Sequence, residues 1–226
     1  MISNLKYKIY KIQKGGSPIP PCKSQKTSFL QQYYTNESLN KIKTPNLVKT
    51  DIILKHNDNP EVKVVYGEVC GYEVDNLIKE LNINESDVFY DLGSGNGHVC
   101  ATVLFGSNCK KCVGIELSET RHNEGIRIKD LIYNNHPDKV VDKELVLIND
   151  NFMNYNYDDA TIVFMDSIFY EDKTINEIEK RLKDNPNFRC LVSMKSYYNP
   201  VHLKFVKTIN INASWGQSTL YLYEKP

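Results

Sequence analysis

From residue 72 onward, apolar and polar positions alternate in two rhythms that take turns along the chain. "YEVDNLIKEL" places Val74, Leu77, Ile78 and Leu81 at i, i+3, i+4 and i+7, the apolar stripe of a helix. "DVFYDLG" is a β-type run, and "GHVCATVLFG" follows as a helix expected to close at Gly106. "KCVGIEL" reads as a strand and "SETRHNEGIRIKDLIYNN" as a helix. "ELVLIND" and "ATIVFMDS" are two further strands, and "DKTINEIEKRLKDN" is a helix. The chain closes with three β-type runs, "FRCLVSMK", "HLKFVKTINI" and "STLYLYEK". Before residue 60 the pattern is weaker. Residues 14–23, "KGGSPIPPCK", read as a loop or linker, and residues 27–60 as irregular or short helical structure.

Strands interleaved with helices predict a parallel sheet covered on both faces. The last two strands lie too close together for an intervening helix, so the sheet should finish antiparallel. Seven strands in this arrangement match an α/β, Rossmann-like class I methyltransferase sheet. The expected organisation is a small basic extension over residues 1–60 and one domain over 61–226. At 226 residues and 41% hydrophobic content the chain can bury a full core. It has no apolar run long enough to span a membrane and no secretory h-region at its start.

Charge changes that picture in one respect. Formal net charge is zero, yet residues 1–60 carry ten Lys against three acids, and the remainder is acidic by the same margin. A basic arm on an acidic domain is an electrostatic footprint for DNA or another acidic partner. A chain rich in Asn, Ile and Lys also accumulates Lys in any flexible segment, so composition alone leaves both readings open. The six cysteines do not read as a disulfide framework; Cys100 and Cys190, inside apolar runs, read as buried free thiols, which fits a reducing compartment. Cys109-Lys-Lys-Cys112 lacks a second ligand pair, so no metal site is expected.

The candidate chemistry sits at the first strand-to-helix turn, Asp91-Leu-Gly93-Ser94-Gly95-Asn-Gly97. In open α/β sheets ligands bind beyond the carboxyl ends of the strands. The spacing is GxGxG, not the GxGxxG of dinucleotide loops, and an acid precedes it. A carboxylate there would repel a pyrophosphate but suits the ammonium of an amino acid, as in S-adenosylmethionine. Glu116, ending the next strand, is placed to accept both ribose hydroxyls. After the third strand, Asp150 or Asn151 is a candidate for the adenine amino group, with Phe152 stacking on the ring. The fourth strand ends in Asp166-Ser167-Ile168-Phe169-Tyr170, which in this fold faces the transferred methyl group. Methyl transfer requires an aligned, desolvated nucleophile.

In order along the chain, "VVYGEVCGYEVDNLI", "DVFYDLGSGNGHV", "NCKKCVGIELSETR", "NDNFMN", "TIVFMDSIF", "LVSMKSY" and "SWGQSTLYLY" resemble the core of the Dot-one (disruptor of telomeric silencing) family of non-SET histone-lysine methyltransferases. The resemblance covers residues 62–226. It implies that Tyr66 and Glu68 fold over the cofactor and shape a lysine channel. It implies that Asp91, Gly93, Ser94, Gly95, Gly97 and His98 hold the methionine part, Glu116 the ribose, and Phe152 with Asp150 or Asn151 the adenine. Val192, Ser193, Trp215 and Tyr221 would line the acceptor channel, with Asp166 and Ser167 beside the amine and Asp166 also near the cofactor. It implies a histone or nucleosome substrate, a nuclear (otherwise cytoplasmic) location, and a monomer without membrane contact. Two features depart from the family pattern. Asp166-Ser167-Ile168 stands where the family has Asn-Asn-Phe, and the Lys-rich N-terminal extension takes the place of a basic tail for DNA. The alternatives are an amino-methyltransferase acting on nucleic acid (adenine) or on a non-histone protein, or a non-catalytic scaffold. Asp166-x-x-Phe169 is loosely similar to the motif that stacks an extruded adenine, without its two central prolines.

Overall fold

The computed structural model describes residues 26–43, 67–168, 170–196, 200, 202–214 and 216–226. Tyr66, Phe169, Trp215 and most of the basic extension lie outside them.

Seven strands form one sheet: β1 (Val88–Leu92), β2 (Lys111–Glu116), β3 (Glu144–Asn149), β4 (Ile162–Met165), β5 (Cys190–Ser193), β6 (Lys204–Ala213) and β7 (Gly216–Glu224). Their spatial order is β3-β2-β1-β4-β5-β7-β6. Strands β1 to β5 pair in parallel, and β7 runs antiparallel to both β5 and β6. The expected antiparallel finish is therefore present. Strand order reverses between β1 and β4, which opens a crevice at their carboxyl ends.

Because neighbouring side chains in a strand point to opposite faces, each strand feeds two cores. In β4, Ile162 and Phe164 enter one cluster, while Val163 and Met165 enter the other. The first cluster is covered by α2 (Gly71–Glu80), α3 (His98–Gly106) and α4 (Glu119–Asn135). Val74, Leu77, Ile78 and Leu81, the predicted stripe, are all buried there. The second is covered by α5 (Asp172–Asp184), whose Ile175, Ile178 and Leu182 are fully buried. Helix α3 is apolar around most of its circumference and correspondingly buried. Gly106 does not act as a left-handed cap for it. It is the last helical residue, with no positive φ, and its missing side chain admits Ile78 Cδ1, 3.1 Å from where a Cβ would stand.

Residues 26–43 form a short 3-10 turn (Ser28–Gln32) and helix α1 (Asn36–Lys43). They pack onto the domain through buried Leu30 and Tyr33, with Asn135 Nδ2 donating to the Tyr33 hydroxyl at 3.2 Å. Cys100, Cys109, Cys112 and Cys190 are free and buried, as expected. Cys70, the buried N-cap residue of α2, is not among the free thiols and is disulfide-bonded. No described helix is long and apolar enough to cross a membrane.

Candidate active site

After β1 the chain turns through Gly93–Gly97 into α3. The Gly93 and Ser94 amides both donate to Ile115 O, at 2.8 and 3.1 Å, which pins the loop to the end of β2. Gly93 has φ +96, and a Cβ there would stand 2.6 Å from the Tyr170 hydroxyl, which itself donates to Leu92 O. Gly97 takes φ +77 as the N-cap of α3. Both positions need glycine. The loop also needs glycines outside itself. A Cβ on Gly114 would lie 2.6 Å from Ser94 Oγ, and one on Gly125 3.1 Å from the Asn96 backbone.

Three carboxylates meet around this loop, carried by neighbouring strands: Asp91 in β1, Glu116 at the end of β2 and Asp166 just past β4. Burial pushes the Asp91 carboxyl well above its ordinary range, and Glu116 and Asp166 push it further. Burial likewise raises Asp166 to about 6, with the Ile168 amide working in the opposite direction. None of the three has an ion-pair partner among the described residues, and Asp166 Oδ1 is buried without a hydrogen bond. Buried carboxylates without an ion pair are suited to a cationic ligand, which would restore their charged form.

Glu116 is held in a fixed plane. Its Oε2 accepts from Gly95 N and its Oε1 from Ser118 N, both at 2.8 Å. Each oxygen keeps an acceptor site, which fits a pair of adjacent hydroxyls. Asn149 Nδ2 reinforces the corner by donating to Glu116 O and Leu117 O. In the loop itself, Asn96 Nδ2 and His98 Nδ1 are buried with no partner among the described residues. Polar groups in that state await a ligand. Asp91, Glu116 and the loop thus fit an amino acid joined to a ribose, as in S-adenosylmethionine.

Beyond β3, Asp150 Oδ1 accepts from Asn151 N at 2.6 Å, and Asn151 Oδ1 accepts from Met153 N at 2.9 Å. Phe152 lies beside Tyr170, ring centroids 5.3 Å apart and planes 37° from parallel. Tyr170 therefore connects the glycine loop to the aromatic expected at the adenine.

The acceptor-side residues divide into two groups. Ser167 and Ser193 are fully buried, their hydroxyls 2.5 Å apart, and the Lys195 amide donates to both. They brace the ends of β4 and β5. Val192 is fully buried in the first core. Tyr221, by contrast, is partly buried and stands opposite Ser193 across the β5–β7 pairing. Glu68 N donates to Ser214 Oγ at 3.1 Å, Ser214 N donates back to Glu68 O at 2.8 Å, and Val69 bridges Ala213. Segments flanking Tyr66 and Trp215 are thus joined, although those two side chains lie outside the described residues.

Two residues near the site are absent from the sequence-based set. Asn96, 1% exposed, carries the unpartnered amide described above. Tyr34, from the N-terminal segment, packs edge-on against the His98 ring at 4.7 Å. Burial, Cys100 and Glu68 push its hydroxyl upward, and burial pushes His98 down against the pull of Glu68. Tyr34, Glu68 and His98 therefore form a corner beside the loop.

Residues 48–224 match the model of the family described as "Histone methylation protein DOT1". The chain belongs to that family. Among DOT1-family relatives it is 30% identical over 157 residues to a Caenorhabditis elegans "Histone-lysine N-methyltransferase, H3 lysine-79 specific", covering 66% of this chain and 16% of that protein. A Drosophila melanogaster protein of the same description is 26% identical, with 71% and 10% covered. The chain thus spans about a sixth and a tenth of those two relatives. A Saccharolobus islandicus "Protein-lysine N-methyltransferase" is 25% identical, and there the match covers 65% of this chain and 84% of the relative. Among solved structures, a magnesium protoporphyrin IX methyltransferase from Synechocystis with bound S-adenosylmethionine aligns over 89% of this chain and 97% of its own, with TM-score 0.52 and 11% identity. An RNA methyltransferase from Salinibacter ruber with bound S-adenosylhomocysteine aligns over 68% and 90%, with TM-score 0.50 and 19% identity. Those two establish the fold, a class I methyltransferase sheet, and their differing acceptors leave the substrate to the site.

Proposed function

We propose that this DOT1-family chain is an S-adenosylmethionine-dependent protein-lysine methyltransferase acting on a core-histone lysine in nucleosomes. The observation that carries the reading is the set of three carboxylates without an ion-pair partner among the described residues around a glycine loop, in a chain of this family. S-adenosylmethionine, when bound, supplies an electrophilic methyl group. Asp91 holds the ammonium of its methionine end, with Gly93, Ser94, Gly95, Gly97 and His98 against the rest of that end. Glu116 takes the ribose hydroxyls, and Phe152 with Asp150 or Asn151 takes the adenine.

On the acceptor side, Tyr66, Glu68, Trp215 and Tyr221 wall a narrow approach, and Val192, Ser167 and Ser193 stiffen it from behind. Asp166 stands where the incoming amine meets the methyl group. The wall aligns the amine and strips its water, which is most of what an in-line displacement asks of a protein. The domain occupies residues 61–226. The Lys-rich residues 1–60 contact nucleosomal DNA, and the chain works as a monomer in the nucleus. Phosphate contacts of that type are sequence-blind and weaken steeply with salt.

The test is transfer of labelled methyl from S-adenosylmethionine to nucleosomes, free histones, RNA and DNA in parallel. Label on a histone lysine is expected. Label confined to RNA or DNA would replace the reading with nucleic-acid methylation, and absence of both label and cofactor binding would leave a scaffold.

A further inference from the structure

Asp166 stands one step past the register pair Leu92–Met165, which sets it across from Gly93 at the mouth of the glycine loop. Its Oδ1 is buried and makes no hydrogen bond among the described residues. An unpaired buried acceptor costs about 1–3 kcal/mol, so this atom is held in readiness for a donor. Among the described residues, the neighbouring side chains do not supply one. The Ser167 and Ser193 hydroxyls close on each other, and the Tyr170 hydroxyl donates to Leu92 O. Lys195, which follows β5, is tied to Asp172 Oδ1 and Tyr170 O. Among the described residues, the acid that Asp166 acts on is Asp91 of β1, itself backed by Glu116 of β2.

We propose that Asp166 takes the proton from the incoming lysine ammonium, so that a neutral amine reaches the methyl group. The proposal rests on the lysine-methylating reading above. A lysine arrives at neutral pH as an ammonium with no lone pair, and at the carboxyl end of β4 the described acceptor with an unfilled site is Asp166 Oδ1. Asp91 is the deeper acid and is taken up by the cofactor's own ammonium. Asp166 is left, with the free oxygen. Burial raises its pKa to about 6, so it is still mostly ionised at pH 7 and is a stronger proton acceptor than an exposed carboxylate.

The step balances. An N–H bond of the ammonium breaks and an O–H bond forms on Asp166 Oδ1. The freed lone pair forms the N–C bond, and the electrons of the C–S bond stay on sulfur. The product leaves as a methylammonium, and the Asp166 proton passes to solvent. An amide at this position, as in the Asn-Asn-Phe pattern, can accept a hydrogen bond but cannot take the proton.

The test compares the wild type with Asp166→Asn on nucleosomes, following kcat and kcat/KM from about two pH units below the Asp166 value of about 6 up to that of free lysine, with cofactor affinity measured by calorimetry. For the wild type, kcat/KM is expected to fall on the acid side with a single-proton slope. Asp166→Asn should bind cofactor within a few-fold of wild type, lose about 10²-fold in kcat at pH 7, and recover as pH approaches that of free lysine ionisation. An Asp166→Ala variant partly rescued by added formate gives the same information should the Asn form not fold. Lysine labelling by Asp166→Asn with an unchanged rate and pH profile would overturn the proton role alone. A wild type without the acid limb would overturn it too. A wild type that labels nucleic acid and no lysine would remove the underlying reading, and this proposal with it.

Discussion

Gly114→Ala tests the loop architecture most directly, because the substituted residue touches no ligand. The added Cβ would stand 2.6 Å from Ser94 Oγ, 2.7 Å from Ser94 Cβ and 3.0 Å from Leu147 Cδ2. Carbon atoms are comfortable at ~3.5–4.0 Å, so Ser94 must retreat by roughly 1 Å. Ser94 belongs to the loop and is tied by its amide to Ile115 O in the strand that carries Gly114. The retreat therefore displaces the segment that the cofactor must contact. Overpacking of this kind costs about 1–3 kcal/mol. Spent on the loop, that weakens cofactor affinity roughly 5- to 150-fold. Ser94→Gly removes both offending atoms, so the double variant should recover most of the loss, with a coupling of about 1 kcal/mol or more. Calorimetric titration with S-adenosylhomocysteine and thermal denaturation of all four proteins measure both quantities. Wild-type affinity and stability in Gly114→Ala, or strictly additive effects in the double variant, would refute the reasoning.

Ser167→Ala should lower stability by about 1–2 kcal/mol through loss of the paired hydroxyls, while cofactor affinity by calorimetry stays unchanged. A large loss of affinity would place Ser167 in direct contact with the ligand. Tyr34→Ala should weaken cofactor binding by roughly 2- to 10-fold, the range expected when an aromatic contact is lost. Asp87 sits in a separate buried network. Burial opposes its charge, but Arg189 at 2.7 and 2.8 Å, the Asn84 amide and the Thr161 hydroxyl hold the carboxyl below its usual range. Its stabilisation is present above the unfolded value of about 3.9 and is lost as pH falls through the lower folded one. Asp87→Asn should cost about 2–3 kcal/mol at pH 7 and flatten the loss of stability below pH about 4, as read by urea unfolding across pH.

The elements legible in the sequence were those written in local periodicity. The stripe from Val74 to Leu81 and the alternating runs from Val88 onward fix which faces are apolar, and hence two covered sheet faces. The loop was legible because an acid, three glycines and a flanking strand are contiguous. What escaped depends on partners far along the chain. Gly106 has the look of a helix cap, but its role is set by Ile78, which sequence spacing does not reveal. Gly114 did leave a signal, since an isolated glycine inside a strand often marks close backbone approach. The approaching residue, Ser94, is visible only once β1 and β2 are in register. That the Ser167 and Ser193 hydroxyls meet is visible only once β4 and β5 are paired. Tyr34 lies in a segment without periodicity, and nothing there marks it as a neighbour of His98.

The bonds between Glu68 and Ser214 join residues 146 positions apart. Such a contact cannot form on a ribosome until almost all of the described chain has emerged. The glycine loop, its strands and Glu116 span residues 88–116 and need no partner so remote. Contacts that close long stretches of chain also tend to form late. Assembly is therefore expected to have a direction, with the glycine loop built first and the Glu68–Ser214 junction last. A protein clipped within its final hairpin should still bind cofactor, but with that junction unmade.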